Sequence, residues 1–168
     1  MTRTRAAALI GASLLALAAP ATSASSTKYE LLKQQQVALT WANIRGQYGR
    51  VWPLLHPRYQ RVTTRAFWEA CQRKRARKTA GVEWLSVKAT AAYPDRVTLP
   101  LLGSIPVVAV SVEAKIKYLG STRTVRGTHY WAKLPWNFVG LWDPETYRAY
   151  KAHRCPALPD HLSPPVSA

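Results

Sequence analysis

Residues 107–118 alternate between apolar and polar side chains, and this pattern constrains the fold more than any other part of the sequence. The apolar register contains Val108, Val110, Val112, Ala114, Ile116 and Tyr118, whereas Ser111, Glu113, Lys115 and Lys117 occupy the other register. Because successive side chains of a strand point to opposite faces, this period of two predicts a β-strand with one face on a core. Gly120 follows, and residues 122–133 are rich in β-branched and aromatic side chains. The two stretches therefore predict a long antiparallel hairpin.

The chain before residue 80 carries the signals of three helices. Thr27, with Glu30 three residues later, predicts a capping box at the start of the first helix. An apolar stripe at helical spacing follows in that region, formed by Val37, Trp41, Ile44 and Tyr48. A short second helix over residues 47–55 is expected to end before Pro57, because proline disfavours helical geometry in the preceding residue, His56. Thr63 or Thr64 caps a third helix, whose inward side is predicted to carry Phe67, Ala70 and Cys71.

Strand patterns then follow the helices. The first predicted strand begins near Val82, ends at Pro94 and directs one set of side chains inward, namely Leu85, Val87, Ala89, Ala91 and Tyr93. A short edge segment is predicted at 97–101, and a last strand at 136–141. Asp143, Pro144 and Glu145 open a short helix over 146–152. The predicted fold class is α+β, with three N-terminal helices packed on a curved antiparallel β-sheet and a short C-terminal helix.

The N-terminus has the layout of a secretory signal. Arg3 and Arg5 precede an uncharged run at 6–19, and small residues follow it up to Ala24. We expect residues 1–24 to be a signal peptide, 25–156 to be one domain, and the Pro-rich residues 157–168 to be a flexible tail. The apolar run is short for a bilayer span, so a transmembrane protein is not expected. The expected location is secreted, periplasmic or at the cell envelope.

The chain is strongly basic, with 24 Lys and Arg residues against 8 Asp and Glu residues. Such a charge attracts anionic cell-envelope polymers, lipid surfaces or nucleic acid, although exported proteins seldom meet nucleic acid, which makes it an unlikely partner. Basic residues concentrate toward the end of the third helix, at Arg73, Lys74, Arg75, Arg77 and Lys78. This cluster is either an anion-binding site or a solvated helix end whose cations interact with the last carbonyl groups.

The sequence contains two cysteines, Cys71 and Cys155. Export places them in an oxidising compartment, where an even number favours pairing, so we predict a Cys71–Cys155 disulfide between the third helix and the C-terminal segment. A free catalytic thiol is the alternative. The scattered histidines have no metal-ligand spacing, so neither a metal nor another cofactor is indicated.

Two segments carry a resemblance to a known family. With "GQYGRVWPLLHP" after the first helix and "VTTRAFWEAC" opening the third, the chain resembles exported bacterial members of the nuclear transport factor 2-like superfamily, which have a cone-shaped, cystatin-like α+β fold. The resemblance covers residues 29–156 and includes Gly46, Tyr48 and Phe67. It implies a pocket between the helices and the concave face of the sheet. Members use this pocket for small apolar ligands, for acid/base catalysis or for protein contacts, so the fold alone does not select one function.

Candidate pocket residues are mostly aromatic. They are Trp41, Tyr48, Trp52, Trp84, Tyr93, Tyr118 and Trp131, although aromatic residues at such spacings also serve as ordinary core packing. His129 is a candidate general base for an isomerase or dehydratase. The carboxylate base that an isomerase would need in an apolar pocket is not evident. The leading interpretation is therefore a secreted, non-enzymatic binding or interaction module, monomeric or homodimeric, with a small apolar ligand or an anionic envelope surface as partner.

Overall fold

The computed structural model describes residues 23–135 and 137–158. In chain order the helices before the sheet are α1 (Ser23–Ile44), α2 (Tyr48–Val51), a 3₁₀ turn (Trp52–Leu54), α3 (Pro57–Gln60) and α4 (Arg65–Lys78). The strands are β1 (Glu83–Leu99), β2 (Gly103–Tyr118), β3 (Ser121–Lys133) and β4 (Phe138–Gly140), and α5 (Pro144–Lys151) follows. The predicted α+β architecture, with helices before a curved antiparallel sheet and a short C-terminal helix, is confirmed.

The sheet has the order β1-β2-β3-β4, with antiparallel pairing between each pair of neighbours. In the central strand, the predicted inward residues from Val108 to Ile116 are all buried, and Val110 is completely inaccessible. Val110 lies opposite Ala92 on one side and His129 on the other, while Val108 lies opposite Trp131. Leu32 of α1 packs on this face. The alternating pattern therefore predicted the correct face of β2.

Strand β1 differs from the prediction in two ways. It continues through Pro94 to Leu99 as one strand, whereas two segments were predicted. Proline is tolerated there because β1 is an edge strand and has only β2 as a partner. Register shifts between Trp84 and Ser86 and between Ala89 and Ala91 each insert one extra residue. Because each bulge reverses the alternation, Ala92 replaces Tyr93 on the inner face, and Leu85 and Tyr93 are 45% and 43% exposed.

Helix α1 differs from the prediction in the position of its N-terminus and in which residues form its buried stripe. The described part of the helix already includes Ser23, so Thr27 lies inside the helix and cannot be its N-cap, and Glu30 pairs instead with Lys33 at 3.0 Å. The buried side chains near its centre are Leu32 and Gln36, whereas the predicted Val37, Trp41 and Ile44 are only half-buried. The predicted stripe was displaced because it was chosen from apolar residues alone, whereas the buried face includes the polar Gln36.

Helix α4 begins as predicted, since the Thr64 hydroxyl accepts a hydrogen bond from the Phe67 backbone N–H at 3.2 Å. Trp68 and Cys71 are buried, whereas Ala70, which was predicted to face inward, is exposed. The Cys71–Cys155 disulfide is present and joins α4 to the segment after α5.

The short helices before α4 include one that the sequence analysis missed. The chain leaves the helical turn at Leu55 as expected, but Pro57 then begins α3. His56 is the N-cap of this helix, with Nδ1 accepting a hydrogen bond from the Arg58 N–H at 3.2 Å. Proline is favoured in a first helical turn because its missing N–H has no partner to lose there.

A cluster of aromatic side chains joins these helices to α5. Tyr59 and Trp142 stack with ring centroids 5.2 Å apart, and Trp142 contacts Tyr150 at 4.6 Å. Burial raises the pKa of both tyrosines to about 12, so their phenols stay neutral over the physiological pH range. Both hydroxyls are hydrogen-bonded: Tyr59 donates to the Pro100 carbonyl, and Tyr150 accepts from Gln72. The helical core therefore contains neutral tyrosines whose polar groups are paired.

Some predictions concern residues that the structure does not describe. Most of the predicted signal peptide (residues 1–22), the end of the tail (159–168) and Trp136 of the predicted last strand lie outside the described residues. Within the described ranges, no helix has both the length and the apolar character needed to cross a bilayer.

Candidate functional site

A cavity of about 680 Å³ lies between α1, α4 and the sheet. Helix α1 contributes polar groups at Gln36, Thr40 and Asn43, while α4 contributes Gln72 and Arg75. The sheet supplies part of the wall through β3, and residues 140–150 close another side. The volume lies within the range of pockets that hold small molecules in proteins.

The predicted aromatic candidates divide into two groups. Tyr48, Trp84 and Trp131 line the cavity, together with four aromatic residues that were not proposed as pocket residues, Trp68, Tyr130, Trp142 and Tyr150. The other four candidates, Trp41, Trp52, Tyr93 and Tyr118, lie outside its described lining.

Each of these four side chains has another environment. Trp41 is half-buried, with the Arg45 guanidinium carbon 5.2 Å from its ring centroid. Trp52 packs against Trp68 at 5.4 Å, and the Tyr118 ring lies beside Gly81. Tyr93 is on the outer face of β1 because of the second bulge. Aromatic character alone therefore did not distinguish cavity lining from core packing.

His129 faces the cavity. It lies two residues before the buried Trp131 on β3, and alternate residues of a strand share a face. His129 is exposed by its accessible surface, although nearby protein atoms partly desolvate the imidazole and lower its pKa from the ordinary value of 6.5. Gly127, two residues earlier, leaves room, since a Cβ there would meet nothing within 4 Å. The cavity wall therefore contains an accessible imidazole with a lowered pKa.

Hydrogen bonds organise two polar regions of the cavity wall. The buried Trp131 Nε1–H donates to Gln36 Oε1 at 3.0 Å, and Gln36 Nε2 donates to Thr40 Oγ1 at 3.1 Å. On the other side, Gln72 Nε2 donates to the Tyr150 hydroxyl at 3.0 Å. Among the described residues, the buried Asn43 Oδ1 has no hydrogen-bond partner.

The predicted basic cluster is divided by the geometry of α4. Arg75 is half-buried and lines the cavity, whereas Lys74, Arg77 and Lys78 are exposed at the helix end. Arg73 instead contacts Glu69 at 3.4 Å. The five cations therefore do not form a single continuous anion-binding face.

Three acidic residues, Glu69, Glu113 and Asp143, are engaged by cations or by a helix end. The pKa of Glu69 is lowered, chiefly by the hydrogen bond from Arg65 at 2.7 Å, and that of Glu113 is lowered chiefly by Lys88. Asp143 lies at the cavity wall, but it caps α5 by accepting hydrogen bonds from the backbone N–H and the hydroxyl of Thr146 at 2.8 and 2.6 Å. Across residues 23–135 and 137–158, no cluster of three His, Cys, Asp or Glu side chains is placed to hold a metal ion.

Sequence reasoning missed the polar cavity residues Gln36, Asn43 and Gln72, and it placed Arg75 in a basic cluster at the helix end instead of in the cavity wall. A signal was available for α1, because Leu32, Gln36, Leu39 and Asn43 follow helical spacing. Together these residues give the cavity hydrogen-bonding groups and one cation beside aromatic walls. Comparisons of the chain with models of known protein families, with curated proteins and with solved structures found no match.

Proposed function

We propose that this protein is a secreted binding module of the cell envelope, without catalytic activity, whose cavity holds a small and largely apolar molecule. The observation that carries the proposal is the cavity of about 680 Å³ between α1, α4 and the sheet. Its walls include Tyr48, Trp68, Trp84 and Trp131, and burial of apolar ligand surface against such rings favours binding. The polar groups beside these rings would orient the ligand.

The chemistry of the lining favours binding over catalysis. The His129 imidazole forms no hydrogen bond or ion pair with another described residue, so no carboxylate orients the ring. Acid/base catalysis requires positioned groups, and the Asp143 carboxylate at the wall is engaged in capping a helix. Membership of the nuclear transport factor 2-like superfamily is part of the same proposal, supported by the order of helices and strands and by the position of the cavity.

A fluorescence titration with the neutral apolar probe N-phenyl-1-naphthylamine tests the binding function. The decisive variant is Ala76→Trp, because Ala76 lies on α4 and lines the cavity, so a large ring there would occupy ligand space. Ala70→Trp is the matched control, since Ala70 is also an exposed alanine of α4 but lies outside the described lining. We expect saturable binding that Ala76→Trp weakens at least about tenfold and Ala70→Trp leaves unchanged. Equal affinity in the two variants would refute binding in this cavity.

The envelope location is supported by the basic charge and by the disulfide. A formal net charge of +16 attracts anionic surfaces through a field that salt screens. The disulfide is typical of proteins that reside in an oxidising compartment. We expect the purified protein to sediment with vesicles containing phosphatidylglycerol in low salt and to be released by about 0.5 M NaCl. Absence of binding in low salt would remove the surface-attraction component and leave the cavity proposal intact.

A second candidate function, a small-molecule isomerase or dehydratase, is favoured by one observation. His129 lines the cavity and has a lowered imidazole pKa, which favours the unprotonated form that a general base needs. If a substrate screen detects turnover, His129→Ala should abolish it while circular dichroism shows a folded protein. Turnover that survives this substitution would exclude His129 as the base.

A further inference from the structure

We propose that the ligand of the cavity is an amphipathic anion, with an apolar body against the aromatic walls and a single carboxylate paired with Arg75. This inference rests on the proposed binding function and adds the chemical class of the ligand. It starts from the position of Arg75, which projects from α4, is half-buried and lines the cavity.

The guanidinium group of Arg75 forms no hydrogen bond or ion pair with any other residue in the described part of the chain. Two other arginines of the same helix, Arg65 and Arg73, both contact Glu69, at 2.7 and 3.4 Å, whereas Arg77 is exposed to water. Partial removal of a cation from water is unfavourable unless an anion or hydrogen-bond acceptors replace the water. An anionic ligand group would supply that compensation.

The protein groups around Arg75 do not neutralise it. Its charge acts on Tyr150 and opposes the effect of burial on that phenol, yet burial prevails and the pKa of Tyr150 is raised to about 12. The phenol is therefore uncharged at physiological pH, and its hydroxyl already accepts a hydrogen bond from Gln72. The Asp143 carboxylate lines the same cavity, but both of its oxygens accept hydrogen bonds from Thr146.

A carboxylate matches this position well. Guanidinium and carboxylate groups are both planar and form paired, charge-assisted hydrogen bonds. The remainder of the cavity has aromatic walls that include Trp68, Trp142 and Tyr150. A molecule with one acidic end and a ring or chain body satisfies both the unpaired cation and the apolar walls.

Calorimetric titration of the disulfide-bonded protein with two compounds of similar shape tests the inference. The compounds are 1-naphthaleneacetate and its neutral amide, 1-naphthaleneacetamide. We expect the acid to bind at least about tenfold more tightly than the amide, because a charge-assisted pair contributes more than a neutral hydrogen bond. Arg75→Gln should remove this preference by weakening the acid and leaving the amide unchanged.

Two further variants keep the test decisive. Arg77→Gln removes a neighbouring exposed cation of α4 that lies outside the described lining, and it should preserve the preference for the acid. Arg75→Lys retains the charge without the planar donor pair, so it should keep part of the preference even if Arg75→Gln fails to fold.

The outcomes separate this inference from the proposed function. Equal affinity for the acid and the amide would overturn the anionic ligand class while leaving cavity binding in place. Loss of the preference in Arg77→Gln to the same extent as in Arg75→Gln would assign it to general surface charge and overturn the role of Arg75. Binding of neither compound, together with no cavity-dependent binding of the neutral probe, would overturn both proposals.

Discussion

Removal of the Cys71–Cys155 disulfide should lower the free energy of unfolding by about 4.5 kcal/mol. The bond joins residues separated by 84 positions, so it closes a loop that includes the second half of α4, the whole sheet and α5. In the chain-entropy relation, a closed loop of this length restricts the unfolded chain by about 15 cal/mol/K, which corresponds to this free energy at 25 °C. A loss of this size is a large part of the stability of a typical domain.

The perturbation that isolates this effect is the double substitution Cys71→Ala and Cys155→Ala. Alanine is preferable to serine because Cys71 is completely buried, and a hydroxyl there would need a hydrogen-bond partner. Urea unfolding followed by circular dichroism gives the free energy and the m-value of the oxidised protein and the variant. Reduced wild-type protein is the control, since it lacks the cross-link but keeps both side chains.

The loop-closure argument makes a joint prediction for these samples. The variant and the reduced protein should both lose about 4.5 kcal/mol, and their m-values should rise because the unfolded chain exposes more surface without the cross-link. A loss below about 1 kcal/mol in both samples would refute the reasoning. A large loss in the variant alone would assign the effect to packing around Cys71.

Three other predictions concern the cavity wall and the core. Desolvation lowers the pKa of His129 below 6.5, so the unfolded chain binds the proton first and stability falls as the pH drops below 6.5 toward the folded pKa. His129→Gln should flatten this decline when the melting temperature is measured over a pH series. An unchanged dependence of melting temperature on pH would contradict the desolvation argument. Gln36→Leu leaves the buried Trp131 Nε1–H without its acceptor and should lower the free energy of unfolding by about 1–3 kcal/mol in urea. The control Gln34→Leu changes an exposed glutamine of the same helix and should leave this free energy nearly unchanged. Leu32→Ala should lower the free energy of unfolding by about 2–5 kcal/mol, because Leu32 is 2% exposed and packs against β2 and β3. The control Leu31→Ala, at a residue that is 61% exposed, should change it by less than about 0.5 kcal/mol. Similar losses for the two leucines would show that the inward face of α1 has been misassigned.

The candidate site was only partly accessible from the sequence. Tyr48 and Trp131 were predicted as pocket residues and line the cavity, but Tyr93 lies on the outer face. The reason is a pair of bulges in β1, which depend on how β1 aligns with β2 and have no signature in the β1 sequence alone. Arg75 was assigned to a surface cluster because nothing in its neighbouring sequence separates it from Arg73 or Arg77. Its place in the cavity wall with Tyr150 joins residues far apart in the chain.

The sequence by itself determined the features that depend on local physical chemistry. The alternation of β2 identified its buried face, Thr64 specified the start of α4, and Asp143 with Pro144 specified the start of α5. Two cysteines allowed a single internal pairing, and that disulfide is present. Each of these features can be identified from a few neighbouring residues or, for the disulfide, from the number of cysteines.

Only the tertiary structure decided which polar residues face inward. Gln36 is buried because Trp131, which lies in β3 and is distant in sequence, donates a hydrogen bond to its side-chain oxygen. His129 and Arg75 share one cavity because β3 and α4 border the same space between the helices and the sheet. A polar side chain can be placed inside a protein only when its partners or its cavity are known, and folding brings these together from distant parts of the sequence.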